Sequence, residues 1–419
     1  MVTAASCRGL HCSQHKITVR PGITEAPEGH VFPSMADASG RTIGAEELAA
    51  VSRVLQSGML SSVWGTEVRA LEREMADRHG VSHAVAASSG TAALHLAVAA
   101  VAPDPGDEII TSPISDFGTV APILAQNAVP VFADVDPYTG NLDPAAVAAA
   151  IGPRTRAILA VHLFGAAVDL RAVADAAGVP LIEDCAQAWL TRYPDGTLAG
   201  TAGAIGCFSL QQWKHITCGD GGLTITDDPV LARRMRLFAD KGWPRDEARR
   251  HVSLGLNYRM TELAGAVARA QLAKLPGVLA DRRRTARRLV DALAGLPGLH
   301  LPADVDAHAW WLFPIVLDPP LTNHEVAGKL AAAGIPARAG YLQQPLHWAP
   351  ALTEAPVYGS SRFPLTVPPA DRLPSYGPGA CPVAERLIEQ TLLVIDWNER
   401  YTDAHVDEIA QAVRAAVAG

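Results

Sequence analysis

An alternation of short β-rich runs with helical runs, between about residue 80 and residue 230, constrains the fold more than any other feature of this sequence. The β-rich runs are HAVAAS, EIIT, VPVFADV, RAILAVHLFG, VPLIED, AIGCFSL and LTIT. Such alternation is typical of a mainly parallel sheet with helical crossovers, so we predict an α/β fold. Ligands bind such sheets beyond the carboxyl ends of the strands, and polar residues of this segment fall there.

Length and composition allow one large domain and a smaller one. The chain has 419 residues, of which 49% are hydrophobic, and this is enough to bury a large core. We predict an N-terminal arm at 1–38, where three prolines interrupt any periodicity. A large domain is predicted at 39–285, and a small C-terminal α+β domain at 286–419.

Helical spacing marks the elements that flank the alternating segment. Apolar residues recur with a helical period at 45–56 and at 66–79. A long helix after Thr261 is predicted to link the two domains. This helix contains a basic cluster, which we expect to form a solvated face, at Arg282, Arg283 and Arg284.

The charge balance argues against several classes of partner. The chain carries 35 Lys and Arg against 43 Asp and Glu, a net charge of -8, with no basic run suited to nucleic acid. We find no apolar run of membrane-spanning length, so no membrane contact is expected. The first residues lack the apolar middle region of a secretory signal, which favours a cytoplasmic location.

The six cysteines are scattered, and four lie in apolar or glycine-rich stretches that are typical of buried free thiols. Near the start, Cys7, His11, Cys12 and His15 have a spacing that metal ligands also use. No second ligand pair of matching spacing follows. We therefore favour a polar tail and predict no metal site.

The strongest single chemical signal is the segment CFSLQQWKHITCGDGGLTITDD, residues 207–228. A predicted strand delivers Ser209, a short turn follows, and Lys214 stands before a glycine-rich return. A lysine in this place could form a Schiff base with an aldehyde cofactor, although surface lysines are far more common. The segment alone leaves both interpretations open.

A second signal is Asp184, which ends the β-rich run VPLIED and is therefore predicted at the edge of a dry sheet. A charge in such a place needs a partner. The protonated pyridine nitrogen of pyridoxal 5'-phosphate (PLP) would supply one, and this ion pair makes PLP an electron sink. The alternative is an aspartate that caps a helix, which is common at strand-to-helix turns.

A third signal lies in HAVAASSGTAALHLA, where Ser88, Ser89, Gly90 and Thr91 lead from a strand into a helix. The free amides of a first helical turn, with hydroxyl groups beside them, form an anion cradle suited to a phosphate. Capped helices without a ligand look similar. The three signals together are more specific than any one alone, because the phosphate cradle, the buried aspartate and the lysine follow one another in this order along the chain.

Together these segments resemble the DegT/StrS sugar aminotransferases, which are fold-type I PLP-dependent enzymes. The resemblance rests on six ordered motifs, SSGTAALHLA, GDEIITSP, VPVFADVDPYTGNLDP, LIEDCAQA, FSLQQWKHITCGDGG and LNYRMTELAGAVARAQLAKL. It covers roughly residues 40–290 strongly and the remainder loosely. It implies a fold-type I transferase, with a mainly parallel central sheet and a smaller C-terminal α+β domain.

The resemblance also implies roles for individual residues. Lys214 matches the lysine that binds PLP and moves protons, and Asp184 matches the partner of the pyridine nitrogen. Phe117 matches an aromatic residue that stacks on the cofactor, and Gln187 a residue that approaches the ring and its hydroxyl. Four positions match phosphate-binding residues, Ser89, Gly90, Thr91 and Ser209. Asn257 matches an asparagine that reaches the phosphate from the neighbouring subunit, which implies a homodimer with shared active sites.

The implied activity is the transfer of an amino group from glutamate or glutamine to a ketone. The acceptor is expected to be a sugar, nucleotide-sugar or cyclitol-type intermediate of amino-sugar or antibiotic biosynthesis. Retention of Lys214 argues against the dehydratase branch of the family, where histidine replaces it. Asp116, Gly118 and Trp213 depart from the common pattern beside Phe117 and Lys214, and these departures leave the acceptor open.

Other functions stay open at this point. A PLP enzyme of the same fold could catalyse elimination, decarboxylation or carbon-carbon bond chemistry, since the electron sink serves all of these reactions. A non-catalytic regulatory relative is a further alternative. A nucleotide-binding α/β protein is disfavoured, because no G-x-G-x-x-G follows the first strand.

A few residues could line a substrate pocket. For His162, at a strand end, we favour a satisfied interior histidine. The proline-rich stretch 344–380 is predicted to be a long surface or substrate-facing loop. Tyr341, His347 and Trp348, in or beside this stretch, could line the acceptor pocket or merely pack the loop.

Overall fold

The computed structural model describes residues 32–246, 248–354, 356–366 and 376–418. The helices are α1 (Ala45–Ser57), α2 (Glu67–His79), α3 (Gly90–Ala100), α4 (Ala121–Ala125), α5 (Pro144–Ala150), α6 (Arg171–Ala177), α7 (Pro229–Ala239), α8 (Glu262–Leu293), α9 (Asn323–Ala332), α10 (Pro350–Thr353), α11 (Pro382–Arg386) and α12 (Asp403–Val417). The strands are β1 (His83–Ala87), β2 (Glu108–Thr111), β3 (Val129–Phe132), β4 (Thr155–Val161), β5 (Leu181–Asp184), β6 (Ile205–Ser209), β7 (Gly222–Thr226), β8 (Leu299–His300), β9 (Leu312–Leu317), β10 (Ala337–Ala339) and β11 (Leu392–Asp396).

The large sheet has seven strands in the order β1-β7-β6-β5-β4-β2-β3. All neighbours from β6 to β3 pair in parallel, and β7 alone runs antiparallel to its two neighbours. Buried apolar side chains pack on both faces of this sheet. The predicted mainly parallel α/β fold is confirmed, and the carboxyl ends of β1, β5 and β6 lie at the same edge.

Local sequence explains where many helices begin and end. A side-chain oxygen at the N-cap accepts a hydrogen bond from the first turn at Ser89, Asp143, Asp228 and Thr261. Proline, which has no amide proton to satisfy, opens α5 and α7. The two helices predicted before the sheet are confirmed, and Gly80 ends α2 with a φ of 68°, a left-handed conformation that favours glycine.

A second sheet of four antiparallel strands, in the order β10-β11-β9-β8, forms the C-terminal part with α9 and α12. The long helix α8 packs against α1 and α2 and also against α12. The predicted domain boundary at residue 285 falls inside α8 and stays a prediction. None of the described helices has both the length and the apolar character needed to cross a membrane.

The expectation that the basic cluster of α8 is solvated is wrong for Arg282 and Arg283. Arg282 is fully buried, pairs with Glu399 at 2.7 Å, and donates to the backbone carbonyls of Trp310, Trp311 and Trp397. Arg283 is partly buried and donates to two further carbonyl groups. Since α8 lies between the two sheets, its inward face meets carbonyl oxygens that satisfy guanidinium groups. Only Arg284 is exposed as expected.

The last residues of the predicted N-terminal arm are packed. The Phe32 ring makes an edge contact with the Tyr401 ring and a tilted contact with the His405 ring, and Met35 is buried. The carbonyl of Met35 accepts hydrogen bonds from Arg41 and Gln212. The candidate metal ligands between Cys7 and His15 lie outside the described residues.

The buried ion pair makes a prediction about stability. Replacing Glu399 with alanine is expected to lower the free energy of unfolding by about 3 to 5 kcal/mol, because Arg282 keeps a buried charge without its counter-ion. The exposed pair of Arg284 with Asp403 is the control, and Arg284→Met should cost less than about 1 kcal/mol. Urea denaturation measures both values, and equal losses in the two variants would contradict this role of Glu399.

Candidate active site

Several of the predicted site residues lie together at the carboxyl edge of the large sheet. Asp184 is the last residue of β5, and Ser209 is the last residue of β6. Ser89 and Gly90 follow β1 and begin α3. Because these three strands run in the same direction, the sheet brings their carboxyl ends together. This is the edge at which open α/β sheets bind ligands.

Asp184 is a buried carboxylate with two hydrogen-bond donors among the described residues. Its Oδ1 accepts from the Ala186 amide at 3.1 Å, and its Oδ2 accepts from the Thr119 hydroxyl at 3.1 Å. Burial raises the pKa of Asp184, and the two donors and nearby Lys214 oppose this effect. No helix begins after Asp184, so the alternative that it caps a helix is wrong. The carboxylate retains capacity for a further, positively charged partner.

Lys214 lies in the turn that follows β6, where its amide donates to the Gln211 carbonyl at 2.9 Å. Burial lowers the pKa of Lys214 to about 8, and the carboxylates of Asp184 and Asp116 act in the opposite direction. The amine nitrogen Nζ lies 4.2 Å from the centre of the Trp311 ring. Burial is the part of this environment that lets a lysine amine lose its proton readily.

The predicted phosphate cradle is closely packed. Ser89 caps α3 by accepting from the Ala92 amide at 3.0 Å. A Cβ on Gly90 would lie 2.7 Å from both Cβ and Oγ of Ser209, so only glycine lets the helix start this close to β6. A Cβ on Gly118 would lie 2.6 Å from the Thr91 hydroxyl oxygen. Three segments that are distant in sequence thus surround one helix N-terminus, an arrangement suited to an anion.

Phe117 lies in the 3-10 turn Phe117–Thr119, which borders the buried carboxylate through the hydrogen bond from Thr119 to Asp184. The Phe117 ring is partly exposed and packs at its base on an apolar cluster. Asp116 starts this turn by accepting from the Gly118 amide. Phe117 therefore belongs to the turn that contacts Asp184, and its stacking on a cofactor stays a prediction.

Gln187 follows Asp184 by three residues and has a defined orientation. Its Oε1 accepts from the Phe164 amide at 2.7 Å, and its Nε2 donates to the Tyr341 hydroxyl at 3.4 Å. The Tyr341 ring makes edge contacts with Phe164 and Trp311. Tyr341 therefore lies beside the predicted site residue Gln187. Whether it lines the acceptor pocket stays a prediction.

Asn257 is exposed, in the segment that leads from α7 to α8. The neighbouring carbonyl of Tyr258 accepts from the Ser88 amide at 2.8 Å, which fixes this segment beside the end of β1. None of the described hydrogen bonds joins Asn257 to Asp184 or Lys214. Its role in a neighbouring subunit stays a prediction.

His162 is a satisfied interior histidine, as favoured by the sequence. Its Nδ1 accepts from the Val168 amide, so Nε2 carries the proton and donates to Glu183 at 3.0 Å. His162, Glu183 and Cys185 lie close enough together to suggest a metal site. The Glu183 carboxylate is already taken up by four further donors, Tyr193, Gly200, Ala202 and Gly203. The cluster is therefore a structural network.

The proline-rich stretch packs more tightly than a surface loop in its described part. Leu346, Leu352 and Leu365 are buried in one apolar cluster. His347 is fully buried and pairs with Glu385 at 2.9 Å, which supports packing rather than a pocket role. Trp348 is half-buried. Residues 367–375 of this stretch lie outside the described part of the chain.

Three residues near the site were not predicted from the sequence. Thr119 bonds Asp184, Trp311 lies against Lys214, and Arg41 donates to the Lys214 carbonyl at 2.8 and 3.0 Å. Thr119 stands two residues after Phe117, and this position is only a weak local signal that its hydroxyl belongs to the site. Trp311 and Arg41 come from distant segments, and no local pattern marks them.

The residues at this edge fit PLP. The cofactor requires an amine for its aldehyde, a carboxylate for its pyridine nitrogen and a cradle for its phosphate. Lys214 and Asp184 offer an amine and a carboxylate of this kind. The start of α3 with Ser209, where glycine keeps the approach open, offers a cradle that would suit a phosphate.

Comparisons with known proteins find relatives of this chain. The sequence profile described as the DegT/DnrJ/EryC1/StrS aminotransferase family matches residues 41–414. The chain is 46% identical over 264 residues to L-glutamine:2-deoxy-scyllo-inosose aminotransferase of Streptomyces kanamyceticus. That match covers 59% of this chain, and the chain spans only 61% of the length of that relative.

Solved structures share the fold. A crystal structure of 3-amino-5-hydroxybenzoic acid synthase is similar with a TM-score of 0.79 and 29% identity, covering 90% of this chain and 97% of that one. The aminotransferase TlmJ from Streptoalloteichus hindustanus is similar with a TM-score of 0.77 and 31% identity, and the same shares are covered. The family match extends over most of the sequence and contains every predicted site residue. This chain belongs to the DegT/DnrJ/EryC1/StrS aminotransferase family.

Proposed function

We propose that this chain uses PLP to transfer an amino group from glutamine or glutamate to the ketone of a cyclitol- or sugar-type acceptor. The observation that carries the proposal is that Lys214, an amine of lowered pKa, lies near enough to the buried carboxylate of Asp184 for the charge of each group to affect the pKa of the other. Membership of an aminotransferase family supports the same class of reaction.

When bound, PLP supplies an electron sink for negative charge on the substrate carbon next to the amine. The residues that would hold it are those at the carboxyl edge of the sheet. Lys214 would attach to its aldehyde, and Asp184 would hold the pyridine nitrogen. Phe117 would cover one ring face, and Gln187 would face the ring hydroxyl. The phosphate would lie against Ser89, Gly90, Thr91 and Ser209.

Lys214 is also the proposed proton carrier. A pKa of about 8 leaves a useful fraction of the amine neutral near neutral pH, where it can accept a proton. The ammonium form can then return the proton to another atom. An ordinary lysine, with a pKa near 10.4, would be almost entirely protonated under the same conditions.

Asp184 and the pyridine nitrogen would stabilise each other's charged forms. Burial raises the pKa of Asp184, so the ionised carboxylate is costly without a cation nearby. A protonated nitrogen would remove this cost, and the carboxylate would in turn keep that nitrogen protonated. Thr119 and the Ala186 amide hold the carboxylate in a fixed orientation for this contact.

The proposed acceptor follows from the relative that is named for its substrates. That protein is called L-glutamine:2-deoxy-scyllo-inosose aminotransferase. Its name pairs glutamine, as the amino donor, with a cyclitol ketone, as the acceptor. Because the chain spans 61% of that relative, we carry these substrates over as a proposal only. Elimination, decarboxylation and carbon-carbon bond chemistry are the alternatives for a site of this kind.

A homodimer with shared active sites is part of the proposal. Exposed apolar side chains cluster on two segments, with Leu48 and Trp64 exposed by 70% and 72% in the first and Leu254 by 82% in the second. A groove of about 480 Å³ lies beside the first segment and is lined by Val63 and Trp243, among others. An apolar surface of this kind is typical of a protein interface. The second segment leads directly to Asn257.

We also propose a cytoplasmic location. Four cysteines of the described chain are free, and Cys185 and Cys207 are fully buried. Burial raises the pKa of both of these thiols, so neither is a reactive thiolate. Free thiols of this kind are typical of proteins in a reducing compartment.

The cofactor-binding lysine is tested by chemical trapping. Borohydride reduction of the purified protein, followed by peptide mass mapping, should place a pyridoxyl group on Lys214. Lys214→Ala should carry no adduct, while Lys329→Ala, at an exposed lysine on α9 of the C-terminal part, should be trapped like the wild type. An adduct at another lysine, or none in the wild type, would exclude the proposed function.

The acceptor is tested by product analysis. With glutamine and 2-deoxy-scyllo-inosose, the wild type should form the aminated cyclitol together with the keto acid of glutamine in equal amounts. A nucleotide-linked keto-hexose is the comparison acceptor, and Lys214→Ala is the blank. Formation of keto acid without amination of any cyclitol or sugar ketone would contradict the proposed acceptor class. Release of carbon dioxide would instead favour a decarboxylase.

Sharing of the active site is tested by co-expressing two inactive variants, Lys214→Ala and Asn257→Asp. If Asn257 completes the partner's site, a mixed dimer holds one site with both native residues. Random pairing should then restore about a quarter of the wild-type activity. Activity no greater than that of the separate variants would show that both residues serve the same chain.

A further inference from the structure

The amine of Lys214 lies on the face of an indole ring. Its Nζ is 4.2 Å from the centre of the Trp311 ring, and Trp311 is 6% exposed. An ammonium group within about 6 Å of an aromatic centre is attracted by the ring, tryptophan being the strongest partner. Exclusion of water increases this attraction. The contact therefore favours the charged form of Lys214.

The N–H group at the edge of the Trp311 indole ring bonds the turn that carries Lys214. Trp311 Nε1 donates to the Trp213 carbonyl at 2.6 Å, and Arg41 donates two hydrogen bonds to the next carbonyl, that of Lys214. The Trp311 backbone is fixed in turn, because its carbonyl accepts from the buried Arg282. Thus one side chain contacts both the amine and the backbone of the turn that carries it.

None of the described charged groups around Lys214 bonds its amine nitrogen in place of the Trp311 indole. The carboxylates of Asp184 and Asp116 favour its charge, and the Arg41 guanidinium bonds the Lys214 carbonyl instead of the amine. Nε2 of His215, the next residue, donates to the Ala309 carbonyl, and burial lowers the pKa of His215 so that it stays neutral. In the described part of the chain, Nζ has no hydrogen-bond acceptor. The indole face is therefore its close-range partner.

We propose that Trp311 is a positioning residue for Lys214: its ring face holds the free amine, and its N–H fixes the turn. The inference rests on the proposed function, since a free lysine amine needs such a holder only if it is released from and rejoined to the cofactor. The ring also opposes the effect of burial on the charge of the amine. Without the ring, the amine should lose its proton at lower pH.

The test measures the ionisation of Lys214 in cofactor-free enzyme. Apoenzyme is labelled briefly with trinitrobenzenesulfonate between pH 6 and pH 11, and mass mapping follows the rate at Lys214. In Trp311→Leu, an apolar replacement that limits entry of water, the apparent pKa should fall by about one pH unit. The pH profile for amino transfer from glutamine to the loaded enzyme should move in the same direction.

Two further variants separate positioning from general damage. Trp311→Phe keeps a weaker aromatic face and should show roughly half of the fall, which provides a result if Trp311→Leu does not fold. Trp310→Phe alters the adjacent buried tryptophan, which stacks on Phe313, and should leave the pKa of Lys214 unchanged. An unchanged or raised pKa in both Trp311 variants overturns the inference.

The trapping experiment distinguishes this failure from failure of the proposed function. If wild-type enzyme carries the pyridoxyl group on Lys214 but neither Trp311 variant lowers its pKa, only the role of Trp311 is lost. If wild-type enzyme carries no such group, the proposed function is lost and the role of Trp311 with it.

Discussion

A carboxylate that is buried at the end of a parallel strand is the constraint on which the site depends. Asp184 is held by one amide and one hydroxyl, and burial disfavours its charge. A group in this position is stable as an anion only beside a cation, and the same edge of the sheet holds Lys214 and a helix N-terminus. The requirements of Asp184 and those of PLP are therefore complementary.

The turn that carries Lys214 is also held by hydrogen bonds, and these come from other parts of the chain. Arg41 and Trp311 bond two successive carbonyls of its turn, and Arg282 ties Trp311 to the helix between the sheets. Glu399, from the C-terminal part, neutralises Arg282. The small sheet is thus connected to the chemistry at the edge of the large one through buried polar contacts, which are costly to break.

The sequence predicted the parts of the site that strand order brings together. Asp184 and Ser209 lie at the ends of β-rich runs and Ser89 directly follows one, and strands that run in the same direction place such residues at one edge. Gly90 was predicted from the turn, although its close approach to Ser209 is visible only in three dimensions. The prediction for Arg282 was wrong because a basic run on a helix usually faces water. Here three backbone carbonyls and one carboxylate bond the buried Arg282 guanidinium. Trp311 could not be predicted, since neither it nor β9, which follows it, carries any sign of which distant turn Trp311 will meet.

A crystal structure of the borohydride-reduced protein tests the central claim most directly. We predict continuous density from Lys214 Nζ to a pyridoxyl ring, with the ring nitrogen within hydrogen-bonding distance of the Asp184 carboxylate and the phosphate at the start of α3. A ring that lies elsewhere, or a ring nitrogen that faces away from Asp184, would contradict this account of the site.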